Sequence, residues 1–210
     1  MKHKMFVLAS SLFLQTAVFS ETAPTTFYLV RHGQTDWNLN DKLQGHSDIP
    51  LNETGREQAH ELCKQFEGVS FELCYASDLQ RAIETAEILS KPHDVDVVID
   101  TRLRERNFGS WEGRLLSELR TASPQPTCVE TYEALQDRVI PFFQEIANLH
   151  PGATILVVAH GGIMRAILGK LAVPHGASLL DIQIENLAHF QMKALEDHYE
   201  VQSMEGIQLP

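Results

Sequence analysis

The chain has 210 residues, with 17 Lys and Arg against 28 Asp and Glu and a formal net charge of −11. That length suits one domain burying roughly two thirds of its unfolded surface, so neither a disulfide scaffold nor a structural metal is required. The acidic balance makes nucleic acid and anionic membrane surfaces poor partners, and any bound anion must be held by a local group of Arg and His against the global field.

Met1-Lys2-His3-Lys4 is basic, Met5 to Leu14 is apolar, and small residues surround a cut after Ser20. This is the layout of a secretory signal peptide over residues 1–20, leaving a domain over residues 21–210 and an exported, periplasmic or secreted protein. The alternative is a retained anchor, but the apolar run falls short of the roughly 18 residues of a spanning helix and Gln15 and Thr16 interrupt its end. Cleavage would lower Lys and Arg from 17 to 15 against 28 Asp and Glu, a mature charge of −13. No stable membrane insertion is then expected. Cys63, Cys74 and Cys128 are an odd count that permits at most one internal bridge; Cys63 on a helix face and Cys74 in a strand read as small core residues, with a Cys63 bridge the alternative.

Thr26-Phe27-Tyr28-Leu29-Val30 predicts a buried strand that stops at Arg31-His32-Gly33, where charge, imidazole and flexible backbone arrive together. Asn40 to Asn52 reads as a polar surface loop, and Thr54-Gly55-Arg56-Glu57 as a capping box opening a helix with Ala59, Leu62, Cys63 and Phe66 on its buried face. Phe71 to Ala76 is a second strand. Ser77-Asp78 then caps a helix that buries Leu79, Ala82, Ile83, Ala86 and Leu89 and places Arg81 in the first turn, where backbone N–H groups attract anions; the alternative for Arg81 is a solvated helix charge.

Asp94 to Ile99 is a third strand, and Leu103 to Gly113 is irregular and carries Glu105. A second capping box, Thr127 to Glu130, opens a helix with Leu135, Val139, Phe142, Phe143, Ile146 and Leu149, in which Pro141 predicts a kink. Thr154 to Ala159 is the most apolar strand and ends at His160-Gly161-Gly162, after which a helix resumes over Ile163 to Leu171. Ser178 to Ile184 and His189 to Leu195 read as late strands, pairing as a hairpin at the sheet edge. Strands alternating with helices give an α/β fold, a three-layer sandwich with a mostly parallel central sheet and helices on both faces. Its ligands belong outside the carboxyl ends of the strands, where Arg31-His32-Gly33 and His160-Gly161-Gly162 both lie. One His after a buried strand reads as structural; two, each followed by Gly, read as a site.

Arg31-His32-Gly33-Gln34-Thr35-Asp36-Trp37-Asn38, Gln44-Gly45, Ser77-Asp78-Leu79-Gln80-Arg81, Leu103-Arg104-Glu105 with Gly109-Ser110-Trp111-Glu112-Gly113, and Val158-Ala159-His160-Gly161-Gly162 follow one another in a specific order. In this the chain resembles the histidine phosphatase superfamily, in its phosphoglycerate-mutase-like branch, from about Phe27 to Arg165. The resemblance implies that His32 is a nucleophile forming a phosphohistidine, and that Arg31, Arg81 and His160 neutralise the phosphoryl oxygens without a metal. Asn38, the backbone at Gln44 and Gly45, and Gly161 would bind the phosphate. Glu105 would protonate the leaving oxygen and then activate water, a role that asks for a raised carboxyl pKa; on local sequence alone it is a surface carboxylate between Arg104 and Arg106.

The departures bear on activity. Mutases of the family follow this Glu with Arg-His-Tyr, carry a Lys and an Arg-Arg pair in a long insertion, and have Asn where Gly162 stands. Here Glu105 precedes Arg106-Asn107-Phe108, and Gly113 to Thr127 is short with no Arg-Arg. The expectation is a phosphomonoesterase acting on a small phosphorylated substrate with no cofactor; the alternative is a 2,3-bisphosphoglycerate-dependent phosphoglycerate mutase. A silent phospho-ligand binder would need a lost catalytic residue, and none is lost. A metal centre finds no His-x-x-x-His spacing around His32 or His160.

Overall fold

A computed structural model describes residues 23–124, 126–173 and 178–210. The expected leader lies outside the described residues. Within them the chain alternates β1 (Thr25–Arg31), the short α1 (Asp36–Leu39), α2 (Glu53–Gln65), β2 (Leu73–Ala76), α3 (Gln80–Ser90), β3 (Val97–Ile99), α4 (Leu116–Thr121), α5 (Tyr132–Leu149), β4 (Thr154–Ala159), α6 (Gly161–Leu171), β5 (Gln183–Ala194) and β6 (Tyr199–Gln208).

One six-stranded sheet runs in the order β3-β2-β4-β1-β5-β6. The pairs β3·β2, β2·β4 and β4·β1 are parallel, while β1·β5 and β5·β6 are antiparallel. Crossover helices between parallel strands cover both faces, which is why Phe27 to Val30 of β1 and Ile155 to Ala159 of β4 are unbroken runs of apolar and aromatic residues. Alternate residues divide between the two sides: Phe27, Leu29, Ile155 and Val157 pack on α5 and α6, and Val30, Leu156 and Val158 pack on α2 and α3. Arg31 pairs with Ala159 in the central register, so the two strands deliver His32 and His160 to one end of the sheet.

Several local expectations give way to longer-range contacts. The N-cap of α2 is Asn52, whose side chain accepts from Gly55 N–H, and not Thr54. α3 has Leu79 in the capping position with no side-chain cap, while Asp48 from a distant loop accepts from Gln80 N–H at 2.7 Å. Asp78, released from capping, grips Arg104. α5 begins at Tyr132 behind a Thr131 cap, because Glu130 is held instead by Arg138 and Asn107 N–H, and the helix continues through Pro141 to Leu149. The loop after Asn40 is not a plain surface loop: Leu43, Gln44 and Leu51 are buried, and residues 41–43 pair with 113–116 above a small cluster of Leu43, Leu119 and Val129. The late strands are also redrawn. Leu179–Asp181 is a 3-10 turn, the second expected strand forms the end of one long β5, and the hairpin partner is β6. Cys63, Cys74 and Cys128 are free, with Cys74 buried.

Candidate active site

Two strand ends and two helix starts converge at the carboxyl edge of the sheet. His32 follows β1 and is buried; its Nδ1 lies 2.7 Å from Gly33 O. A carbonyl oxygen only accepts, so Nδ1 carries the hydrogen and Nε2 carries the lone pair. Gly33 N–H donates to Thr85 Oγ1, and that hydroxyl donates to Arg81 O, tying the nucleophile loop to the first turns of α3. Gly33 also lies against Gly55: a Cβ on Gly33 would fall 2.5 Å from Gly55 O, and one on Gly55 2.2 Å from Gln34 O. Only two glycines permit that approach.

His160 stands at the N-cap position of α6, its ring making no cap bond and lying 5.1 Å from the His32 ring, centroid to centroid. Burial, and after it the charge of Arg81, lowers both imidazoles well below their ordinary 6.5, so both are neutral in the resting site. Arg81 is fully buried, which removes the solvated-charge reading; Nη1 and Nη2 donate to Ser47 O and Gly45 O, each at 2.8 Å. Arg31 donates through Nη1 to Ile184 O. Burial foremost brings each of these guanidinium groups down to about 10, which leaves them charged at neutral pH.

Glu105 is carried by the irregular segment between β3 and α4. Its carboxylate accepts from Arg106 N–H at 2.7 Å and Gly162 N–H at 2.9 Å, while its carbonyl is held by Arg138 and His46. A Cβ on Gly162 would lie 2.1 Å from Glu105 Oε1, so glycine at this position lets the carboxylate sit against the start of α6. On Gly161 a Cβ would meet Arg165 Nη1 at 3.0 Å and Arg31 Nε at 3.6 Å. These contacts place both glycines between the catalytic candidates and their neighbours.

Asn38 closes a capping box with Thr35, and its Oδ1 also accepts from Asn186 Nδ2. With Oδ1 so engaged, its Nδ2 is the group left to donate. Asn186, which also donates to His32 O, was invisible in the sequence: it lies in a β5 bulge beside Leu187 at φ 59°, and a lone Glu-Asn-Leu carries no motif. The carbonyl of Gly45 serves Arg81, and Gln44 is buried beside it. Among the described residues, six buried side-chain polar atoms lack a hydrogen-bond partner. Five belong here: Arg31 Nε, Gln44 Oε1, Arg81 Nε and both ring nitrogens of His160. Buried polar atoms ordinarily have partners, so this concentration of donors and acceptors marks a place built to receive a polar ligand.

A neutral imidazole between a buried and a partly buried guanidinium, with a second imidazole and a carboxylate alongside, is the equipment of an enzyme that transfers phosphoryl groups. Residues 27–205 match the family model of the histidine phosphatase superfamily (branch 1), and the chain belongs to that superfamily as an enzyme of its phosphatase class. It is 37% identical to the uncharacterized phosphatase PhoE of Bacillus subtilis over 150 residues, 70% of this chain and 78% of that protein. It is 32% identical to the metal-independent phosphoserine phosphatase of Arabidopsis thaliana over 190 residues, 81% of this chain and 79% of the relative. Among solved structures, a mycobacterial glucosyl-3-phosphoglycerate phosphatase superposes with a TM-score of 0.76 at 26% identity, covering 85% of this chain and 97% of that one.

Proposed function

We propose that the protein is a metal-independent phosphomonoesterase that hydrolyses small phosphate esters through a phosphohistidine on His32. The observation that carries this reading is the buried Arg81, the partly buried Arg31 and the neutral His160 around His32, with five unpartnered polar atoms turned to no protein group. In the first step Nε2 of His32 forms a bond to phosphorus as the bond from phosphorus to the ester oxygen breaks, and Glu105 gives that oxygen its proton. In the second, Glu105 takes a proton from water, whose oxygen attacks phosphorus and breaks the N–P bond, returning His32 neutral. Arg31 and Arg81 balance the charge on the equatorial oxygens, the work a divalent ion does elsewhere, and neutral His160 donates a hydrogen bond to one of them. Asn38 and the loop at Gln44 and Gly45 complete the phosphate contacts.

The short Gly113 to Thr127 segment without an Arg-Arg pair supports hydrolysis over the mutase reading. Arg106 is likewise engaged, donating to Glu130 O and stacking over the Tyr132 ring at 4.4 Å. We further propose that residues 1–20 are a cleaved leader and that the mature enzyme is exported; among the described residues no helix is long and apolar enough to cross a membrane. The intact mass of protein recovered outside the cytoplasm tests this, and Met1 retained on cytosolic protein would overturn it.

The test of the activity is phosphate release from a panel of phosphomonoesters with EDTA present. Activity should persist and should fall by about 10²-fold in Arg81→Ala. Loss in EDTA restored by a divalent metal would contradict the mechanism, and bisphosphoglycerate-dependent isomerisation of phosphoglycerate in place of hydrolysis would make it a mutase.

A further inference from the structure

Glu112 belongs to the Gly109-Ser110-Trp111-Glu112-Gly113 motif, yet the reaction described above gives it no part. Its carboxylate forms no ion pair among the described residues. Instead, Oε1 accepts from His46 N–H at 2.8 Å and Oε2 from the Ser47 hydroxyl at 2.6 Å. These are the backs of the two groups that hold Arg81. Gly45 C=O and His46 N–H belong to one planar trans peptide and point to opposite sides of it. The N–H side meets Glu112 and the C=O side meets Arg81 Nη2 at 2.8 Å. Ser47, anchored by its hydroxyl on Glu112, presents its own carbonyl to Arg81 Nη1 at 2.8 Å.

Gly45 makes the approach possible. It sits at φ +53°, and a Cβ there would fall 2.3 Å from Glu112 Oε1. The same loop reaches the other half of the site, because His46 Nε2 lies 2.9 Å from Glu105 O. One carboxylate thus fixes a rigid segment that orients the buried guanidinium on one side and steadies the Glu105 segment on the other.

We propose that Glu112 is a positioning residue that sets the phosphate-gripping orientation of Arg81 through the Gly45-His46 peptide and Ser47. The inference rests on the reading of Arg81 as a phosphate clamp. Glu112 touches no reacting atom; it removes rotational freedom from the two carbonyls that hold the clamp. Misplacement by about 1 Å at such a clamp costs on the order of 10²-fold.

The test is a double-mutant cycle read as kcat/KM for phosphomonoester hydrolysis, with the inhibition constant of inorganic phosphate as second readout. Glu112→Ala should lower kcat/KM by about 10- to 10²-fold and weaken phosphate binding, and the same change in the Arg81→Ala background should cost less than about 3-fold, since coupled residues are not additive. Glu112→Gln should retain activity within about 3-fold, because its Oε1 still accepts from His46 N–H and its amide can donate to the Ser47 hydroxyl. Ser47→Ala, which severs one anchor only, serves if Glu112→Ala does not fold; it should show a smaller loss that also vanishes in Arg81→Ala. An equal loss from Glu112→Ala, or from Ser47→Ala, in both backgrounds overturns the positioning role while leaving the clamp intact. Arg81→Ala with unchanged kcat/KM and phosphate inhibition would instead overturn the reading of the clamp itself.

Discussion

The rings of His32 and His160 stand 5.1 Å apart, tilted by 60°, both buried and both held neutral. Two imidazoles so close beside Arg31 and Arg81 could not both be charged without severe repulsion. Neutrality leaves a lone pair on His32 and lets His160 donate a hydrogen to an incoming anion. The two histidines therefore act as a matched pair rather than as separate strand-end residues.

That neutrality has a consequence for stability. The unfolded chain takes up protons at both histidines near pH 6.5, and the folded chain does so only at much lower pH. Their effect on stability is therefore absent above pH 6.5 and appears as a loss as pH falls below it, ending where the folded-state pKa is passed. Each group adds a slope of about 1.4 kcal/mol per pH unit in that window. Urea denaturation between pH 7 and pH 5 should show His160→Gln shallower than wild type by about one proton. Equal slopes would contradict buried, neutral histidines.

Gly162 tests the placement of Glu105. A methyl group there lands 2.1 Å from Glu105 Oε1 and 3.0 Å from Arg106 Cβ, so the carboxylate must swing away. Gly162→Ala should cut turnover of alkyl phosphates by about 10- to 10²-fold. With p-nitrophenyl phosphate, whose leaving group needs little protonation, the loss should be much smaller. A uniform loss on both substrates would place the damage elsewhere than in leaving-group protonation.

Gly55 bears on the nucleophile loop. Its Cβ would meet Gln34 O at 2.2 Å and Gln34 N at 2.7 Å, backbone atoms that cannot rotate away. Gly55→Ala should destabilise the fold by on the order of 3 kcal/mol, as overpacking does, and reduce activity by shifting the backbone that carries His32. Chemical denaturation and steady-state kinetics measure the two effects. Wild-type stability in the variant would mean that the Gly33 to Gly55 approach is looser than described.

The central parallel strands were legible because burial on both faces makes them continuous apolar runs, and each run stops abruptly at Arg31-His32 or His160. Helix starts were read less well. Asn52, Asp48 and Thr131 provide the N-terminal contacts, while of the local candidates Thr54 falls inside α2 and Asp78 and Glu130 pair with Arg104 and Arg138. A spacing rule sees neighbours in sequence, and these partners come from distant segments. β6 escaped notice because it lies at the sheet edge and is mostly exposed: Tyr199 and Val201 alternate with Glu200 and Gln202, but the pattern breaks off over Ser203-Met204-Glu205-Gly206. Asn186 was hidden for a different reason: its role follows from a bulge that brings it to His32 O and Asn38 Oδ1, contacts spanning most of the chain.

The most direct measurement is to quench wild-type enzyme with acid or alkali during turnover of a labelled phosphomonoester and map any retained phosphate. Phosphate should be found on His32, labile in acid and stable in base, and should be absent in His32→Ala. In Glu105→Gln, turnover of alkyl phosphates should fall by about 10²- to 10⁴-fold. Retained phosphate mapping to another residue, or continued hydrolysis by His32→Ala at the wild-type rate, would contradict His32 as the nucleophile.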